Sequence, residues 1–359
     1  MDSSDGSITY QCPEDSFIHC FCATSKHFII AESPIDHPTK VTLHYFSKSD
    51  PEKSTLIADD IGISINRNVA PRVRIVKNML ISGSGAIQLI VNTSDGVIVY
   101  PFGGSHYSKD RVEPCKWLLS NSQDTIESVD IVEETDVSVD LVIGTKLGHV
   151  YCVRYESVKN RFSTLKRYKT LDNVATDAVN SVRCAQGDIA LASFDNFVYA
   201  WIDGKLESQH ISNLPANSLT DHTVTSVDFV KIKKYSSSFL RFYAVNVTNV
   251  GCVLYRRSIR GQWEMMQVLA RNVDNETEEV TPLISCTITE SPNTNDLTIV
   301  SGGESGKLYE WHYRQTTNEV TLERTHSICR GIVHNIVATD PHTLNYLMND
   351  DTCIGTLHI

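Results

Sequence analysis

The sequence predicts an all-β chain folded as a seven-bladed β-propeller, and three observations predict it. Apolar and polar residues alternate at period two in one segment after another, and no long window favours a 3.6-residue period. A hairpin pattern, two β-branched and aromatic runs joined by a short turn containing Gly, Asp or Asn, recurs seven times. The turns fall near residues 36, 95, 147, 195, 250, 305 and 351, a mean spacing of about 52 residues, long for one blade but within reach of a propeller repeat.

Asp296 to Tyr313, DLTIVSGGESGKLYEWHY, is the clearest copy, with two alternating runs around SGGESG. In chain order the hairpins are Phe28 to Phe46, Leu89 to Phe102, Leu141 to Tyr155, Ile189 to Asp203, Phe242 to Arg257, Thr298 to Tyr313 and Leu344 to Ile359. Each follows a further alternating run that makes a first strand, such as FIHCFC, VRIV, IESVDIV and VTSVDFV. Several precede a fourth, among them Leu56 to Ala58, Trp117-Leu118-Leu119, Phe162 to Tyr168, Trp263 to Leu269 and Val320 to Arg324. The blades are therefore expected at 17–60, 73–120, 126–170, 179–212, 223–270, 280–326 and 330–359, in one domain over 1–359. The last lacks an outer strand, and residues 7–12 (SITYQC with its leading Ser7) are expected to supply it and close the ring. Glu207 to Asp221 and Arg271 to Pro282 read as polar loops, the second acidic over 274–279.

Composition excludes several functions. A net charge of −11 argues against direct nucleic-acid binding. The apolar runs are strand-length, far short of the roughly 18 residues a membrane-spanning helix needs. The polar, acidic start MDSSDGSITY does not read as a signal or transit peptide, and the ten cysteines are expected to be reduced core residues of the cytosol or nucleus.

No motif points to catalysis, a cofactor or a metal. His19 and the pair Cys20 and Cys22 fall on opposite faces of a strand, and no second pair stands at zinc-like spacing. Gly302-Gly303-x-x-Gly306 is followed by a strand, where a dinucleotide fingerprint needs a helix. No Gly-x-Ser-x-Gly elbow is present. The basic groups Lys231-Ile232-Lys233-Lys234 and Arg256-Arg257 with Arg260 read either as solvated charge at turns or as contacts for phosphate or an acidic partner.

Leu219 to Phe229, LTDHTVTSVDF, resembles the Gly-His opening and V-x-x-V-x-F first strand of WD40 repeats. The resemblance implies that His222 is a buried structural histidine, paired in that family with an Asp in the turn between second and third strands. Asp95, Asp195 and Asp351 match that turn position, and Trp201 and Trp311 match the closing Trp and are expected to pack between blades. The chain departs from the pattern as well: Asp221 replaces the glycine, the gap from His222 to Val224 is short, no Trp-Asp dipeptide occurs, and Gly148-His149 lies in a mid-blade turn.

In layout the chain is similar to the small seven-bladed propeller nucleoporins of the Y-shaped nuclear-pore scaffold. That resemblance implies a non-catalytic scaffold in a hetero-oligomeric complex, binding an α-helical scaffold nucleoporin and supporting nucleocytoplasmic transport. The location implied is the nuclear envelope, with the cytoplasm as alternative. A substrate receptor of a cullin-type ubiquitin ligase or a chromatin-complex adaptor is the competing reading. An enzyme would need converging His, Asp or Glu in the central channel, and no such cluster is legible.

Overall fold

The computed structural model describes residues 7–23, 27–38, 40–58, 74–81, 86–92, 95–102, 114–135, 137–165, 174–210, 223–235, 238–248, 250–269, 282–291, 294, 296–348 and 352–359. Among these residues there are twenty-eight strands in seven four-stranded sheets. The first strand is β1 (Ser7–Gln11). The sheets then follow chain order: β2 (Ser16–Ala23), β3 (His27–Pro34), β4 (Thr42–Ser47) and β5 (Asp50–Ala58); β6 (Arg74–Ile81), β7 (Ala86–Asn92), β8 (Gly96–Phe102) and β9 (Cys115–Leu118); β10 (Ile126–Glu134), β11 (Ser138–Thr145), β12 (Val150–Glu156) and β13 (Arg161–Thr164). Next come β14 (Val179–Ala185), β15 (Asp188–Ser193), β16 (Phe197–Ile202) and β17 (Lys205–His210); β18 (Val224–Tyr235), β19 (Ser238–Val247), β20 (Gly251–Arg257) and β21 (Trp263–Val268); β22 (Leu283–Glu290), β23 (Leu297–Gly303), β24 (Lys307–Arg314) and β25 (Glu319–Ser327). The final sheet has β26 (Val333–Asp340), β27 (Thr343–Met348) and β28 (Cys353–His358) in the order β26-β27-β28-β1, so the N-terminal strand takes the fourth position. Thr9 Oγ1 lies 2.6 Å from Thr356 Oγ1 across that pairing.

The chain forms two compact units, one of residues 11–179 and one of residues 1–10 with 180–359. The first holds the sheets β2–β5, β6–β9 and β10–β13, and the second holds the other four. In the second unit the core lies between neighbouring sheets. Ala190 and Val198 of one sheet pack with Val227, Phe229 and Val245 of the next, and Trp311 joins Phe242 and Leu254 of the preceding sheet. Each Val, Leu or Phe among them, removed from water, contributes about 1.5–3 kcal/mol.

Every first strand has only one ladder neighbour, so its other edge needs donors and acceptors from elsewhere. A short motif supplies them. Ile126-Glu127-Ser128, Val179-Asn180-Ser181, Val224-Thr225-Ser226 and Leu283-Ile284-Ser285 open successive first strands. In three of them the register with the second strand slips just before the serine. Within the first unit, Ser128 Oγ donates to Val179 O at 2.9 Å. In the second, Asn180 Nδ2 donates to Val224 O at 2.9 Å, Thr225 Oγ1 to Leu283 O at 3.1 Å, and Ser285 Oγ accepts from Ile336 N at 3.0 Å. Where the register slips, the bulge releases the local side chains from simple alternation.

Three expectations are corrected. Residues 207–221 do not begin as a loop: β17 runs to His210, an outer strand polar enough (KLESQH) to be misread because most of its side chains face water. Lys231 to Lys234 do not follow a strand but continue β18 to Tyr235. The slip between Ile18 and Cys20 breaks simple alternation in β2; Cys20 and Cys22 enter the core while His19 bonds Ser33 Oγ at 2.8 Å.

Candidate interaction surface

In an antiparallel four-stranded sheet the first and third turns lie at one end and the second turn at the other. At the first-and-third-turn end of the β14–β17 sheet, two-residue turns fold back tightly. Gln186-Gly187 and Asp203-Gly204 all have positive φ (47°, 83°, 49° and 81°), as the turn favoured by strand twist requires. This geometry places Asp188 at the start of β15, buried, beside Asp203.

The neighbouring sheet brings two cations to Asp188. Lys231 has the same strand parity as buried Val227 and Phe229, so its side chain points inward. Its Nζ is 2.9 Å from Asp188 Oδ2 and 3.0 Å from Gln186 O. Arg241 Nε donates to the same carboxylate oxygen at 2.7 Å, and its Nη2 donates to Asp203 Oδ1 at 2.8 Å. The Phe239 ring lies 4.6 Å from Lys231 Nζ. One buried carboxylate therefore holds two buried cations across two blades. A few residues away Glu207 of β17 clasps Arg257 through both oxygens, at 3.0 and 2.5 Å, and accepts Trp263 Nε1–H at 3.0 Å. This carboxylate raises the Arg257 guanidinium pKa above its ordinary value. Beyond it Arg256 donates to Asn318 Oδ1 at 2.8 Å.

These pairs fix the turn between β20 and β21. Ser258 N donates to Gln262 O at 2.7 Å, Gly261 N to Ser258 O at 3.0 Å, and Gln262 N to Ser258 Oγ at 3.2 Å. Gly261 takes φ 80°, and the Arg257 guanidinium lies 3.0 Å from where a Cβ would stand. Ile259 projects from the tip, fully exposed at 102% relative accessibility.

Deeper in the second unit, Asp228 on β18 joins three first strands. Thr287 Oγ1 and Ile288 N each donate to Oδ2 at 2.9 Å, and Arg183 Nε stands 3.4 Å from Oδ1. Burial raises the Asp228 pKa, and Arg183 opposes the shift. Glu310 is buried between His326 Nε2 at 2.9 Å and His312 Nε2 at 2.8 Å, and the His326 hydrogen bond lowers its pKa. These carboxylates are tied into the frame, and no group of three or more His, Cys, Asp or Glu among the described residues is placed to hold a metal.

The residues singled out in the sequence do not converge on one place. His222 and Asp351 lie outside the described residues, as does the acidic stretch 274–279. Asp195 serves its own turn: its carboxylate accepts Phe197 N at 3.1 Å and the Tyr199 hydroxyl at 2.7 Å. Asp95 anchors the outer strand through its carbonyl, which accepts Leu119 N at 2.9 Å. Trp201 and Trp311 are buried, the latter between the fifth and sixth sheets. Lys231 and Arg257 are neither solvated nor free for phosphate; each is held by an acid from the preceding blade.

The His–Asp pair itself occurs where the sequence reading missed it. Asp124, just before β10, hydrogen-bonds His149 Nδ1 through Oδ2 at 2.9 Å, and its Oδ1 accepts Leu147 N at 3.0 Å and Thr125 N at 2.9 Å. His149 stands in the turn between second and third strands, so the two partners have exchanged places relative to the WD40 order. Asking for the pair in either order would have found it.

No family model matches the chain, and no curated protein matches its sequence. Solved structures do match. The chain is similar to the RRP9 WD40 repeats, with a TM-score of 0.62 at 9% identity over 99% of this chain and 97% of that one. It is similar to a chain of the mitotic checkpoint complex (0.58, 11%, 97% and 95%) and to BBS1N in complex with ARL6DN (0.56, 13%, 99% and 98%). At these identities the likeness is one of fold, and the fold is an all-β propeller of WD40-like kind.

Proposed function

We propose that the protein is a non-catalytic interaction scaffold whose seven sheets form one ring closed by β1. The observation that carries this reading is the edge between the fourth and fifth sheets, where buried charges are used to lock turns in place. Rigid turns on a repeat-built frame supply contact specificity at low ordering cost. The fold's likeness to BBS1N, solved with ARL6DN, and to a chain of the mitotic checkpoint complex supports a protein partner.

The narrower reading is a nuclear, pore-associated subunit of the Y-shaped scaffold that binds an α-helical nucleoporin. It rests on the sequence layout, a propeller-like repeat that lacks the Trp-Asp signature dipeptide. Purification of the tagged full chain from native extract, followed by mass spectrometry, tests both levels. Near-equal recovery of helical scaffold nucleoporins is the expected result. Ubiquitin-ligase subunits or histones in their place would keep the scaffold and discard the pore. Recovery of no stoichiometric protein, or turnover in a hydrolase panel, would overturn the scaffold reading.

A further inference from the structure

We propose that the turn Ser258–Gln262, with the flanking cations Lys205, Lys233 and Arg260, docks an acidic segment carrying an apolar anchor. This rests on the scaffold reading and adds the surface and the partner's chemistry.

Across this end of the β14–β17 and β18–β21 sheets the acids are occupied: Asp188 by Lys231 and Arg241, Asp203 by Arg241, Glu207 by Arg257, and Glu264 by Arg256. Lys205, Lys233 and Arg260 are exposed and make no ion pair among the described residues. Among the described residues, a chain of net charge −11 thus presents an excess of positive charge here. Toward the β22–β25 sheet acids return at Asp296 and Glu319, which bounds the patch.

Ile259 supplies the anchor. It packs on nothing, yet its turn is held by three internal hydrogen bonds and by the Glu207–Arg257–Trp263 clasp. An exposed aliphatic side chain on a pre-ordered turn, with Arg260 next to it and Lys205 and Lys233 at the same end of the two sheets, loses little entropy on docking. The surrounding charge speeds encounter with an acidic partner and rejects basic ones. A single turn of this kind is too small for a duplex or a membrane, and no aromatic interleaving prepares it for stacked bases.

A library of random sixteen-residue peptides displayed on phage, selected on the full wild-type chain, tests the proposal. Enriched peptides should be acidic with one or two aliphatic or aromatic residues. Synthetic copies should lose affinity about tenfold or more on Ile259→Asp, the effect of removing a central anchor. They should weaken on Arg260→Glu and with added salt, and be unchanged on Val158→Asp, an exposed turn residue of another blade. Ile259 is fully exposed, so thermal melting of Ile259→Asp should match wild type. Enrichment of basic peptides, or binding unaffected by Ile259→Asp and Arg260→Glu, overturns the proposal while leaving the scaffold reading intact. A comparable Ile259→Asp-sensitive affinity for heparin would assign the patch to polyanions and overturn it too. Failure to recover any protein from native extract would instead remove the scaffold reading.

Discussion

Asp124 and Asp188 are both buried carboxylates paired with nitrogen bases, and they serve opposite purposes. Asp124 works inside one blade, where it ties the loop before β10 to the turn after β11 through His149 and the Leu147 amide, and also accepts the amide of its neighbour Thr125. Asp188 works between blades and gathers Lys231 and Arg241 from the next sheet. Loss of the first leaves two amides and a half-exposed histidine to find water. Loss of the second leaves two cations, 8% and 7% exposed, with little water to turn to. The lesson is that a carboxylate's worth depends on what it would strand.

The largest effect should follow Asp188→Ala. Uncompensated buried charge costs about 3–5 kcal/mol, and denaturant unfolding should show a loss of that order. Lys231→Met should cost much less, because Arg241 still neutralises Asp188. Equal losses would break the comparison. Asp124→Ala should cost about 1–3 kcal/mol for its unmet amides, and Asp124→Asn less, because the amide oxygen can still accept.

Two further carboxylates sharpen the contrast through pH. Glu310 has a lowered pKa, so its contribution is present above the ordinary carboxylate range and is lost as pH falls through the lowered value. Asp228 has a raised pKa, so its term has the opposite sign: it favours the fold at low pH and fades as pH rises through the raised value. Melting temperature against pH should therefore show a shallower acid limb for Glu310→Gln and a steeper one for Asp228→Asn. Shifts in the same direction would contradict the assignment. The smallest effect belongs to Tyr313→Phe, which removes the hydroxyl donated to Asn318 Oδ1 at 3.0 Å. About 0.5–1.5 kcal/mol should go with it, readable as a small drop in melting temperature.

What was legible in the sequence follows the range of each interaction. Period-two alternation and turn residues act over a few positions, so the repeats and even the place of the N-terminal strand could be read. The Ser of Ile126-Glu127-Ser128 and its counterparts is equally local, a polar residue near the start of successive first strands, but its partner lies on another strand about 50 residues away. Asp124 and His149 stand 25 residues apart within one blade, within reach of a search that allowed exchange. Asp188 and Arg241 stand 53 apart on different blades, and nothing near either names the other. Lys231 gave one local hint, its parity with Val227 and Phe229, which marks an inward lysine that must find an acid.

Charges between the fourth and fifth sheets order the turn between β20 and β21. Hydrogen exchange across 256–263, in wild type and in Glu207→Ala, tests it most directly. The Ser258, Gly261 and Gln262 amides should be protected in wild type and exchange about tenfold faster or more in the variant, with strands β18 and β19 unchanged. A turn that exchanges as fast as free peptide in wild type, or that keeps its protection without Glu207, would contradict the claim.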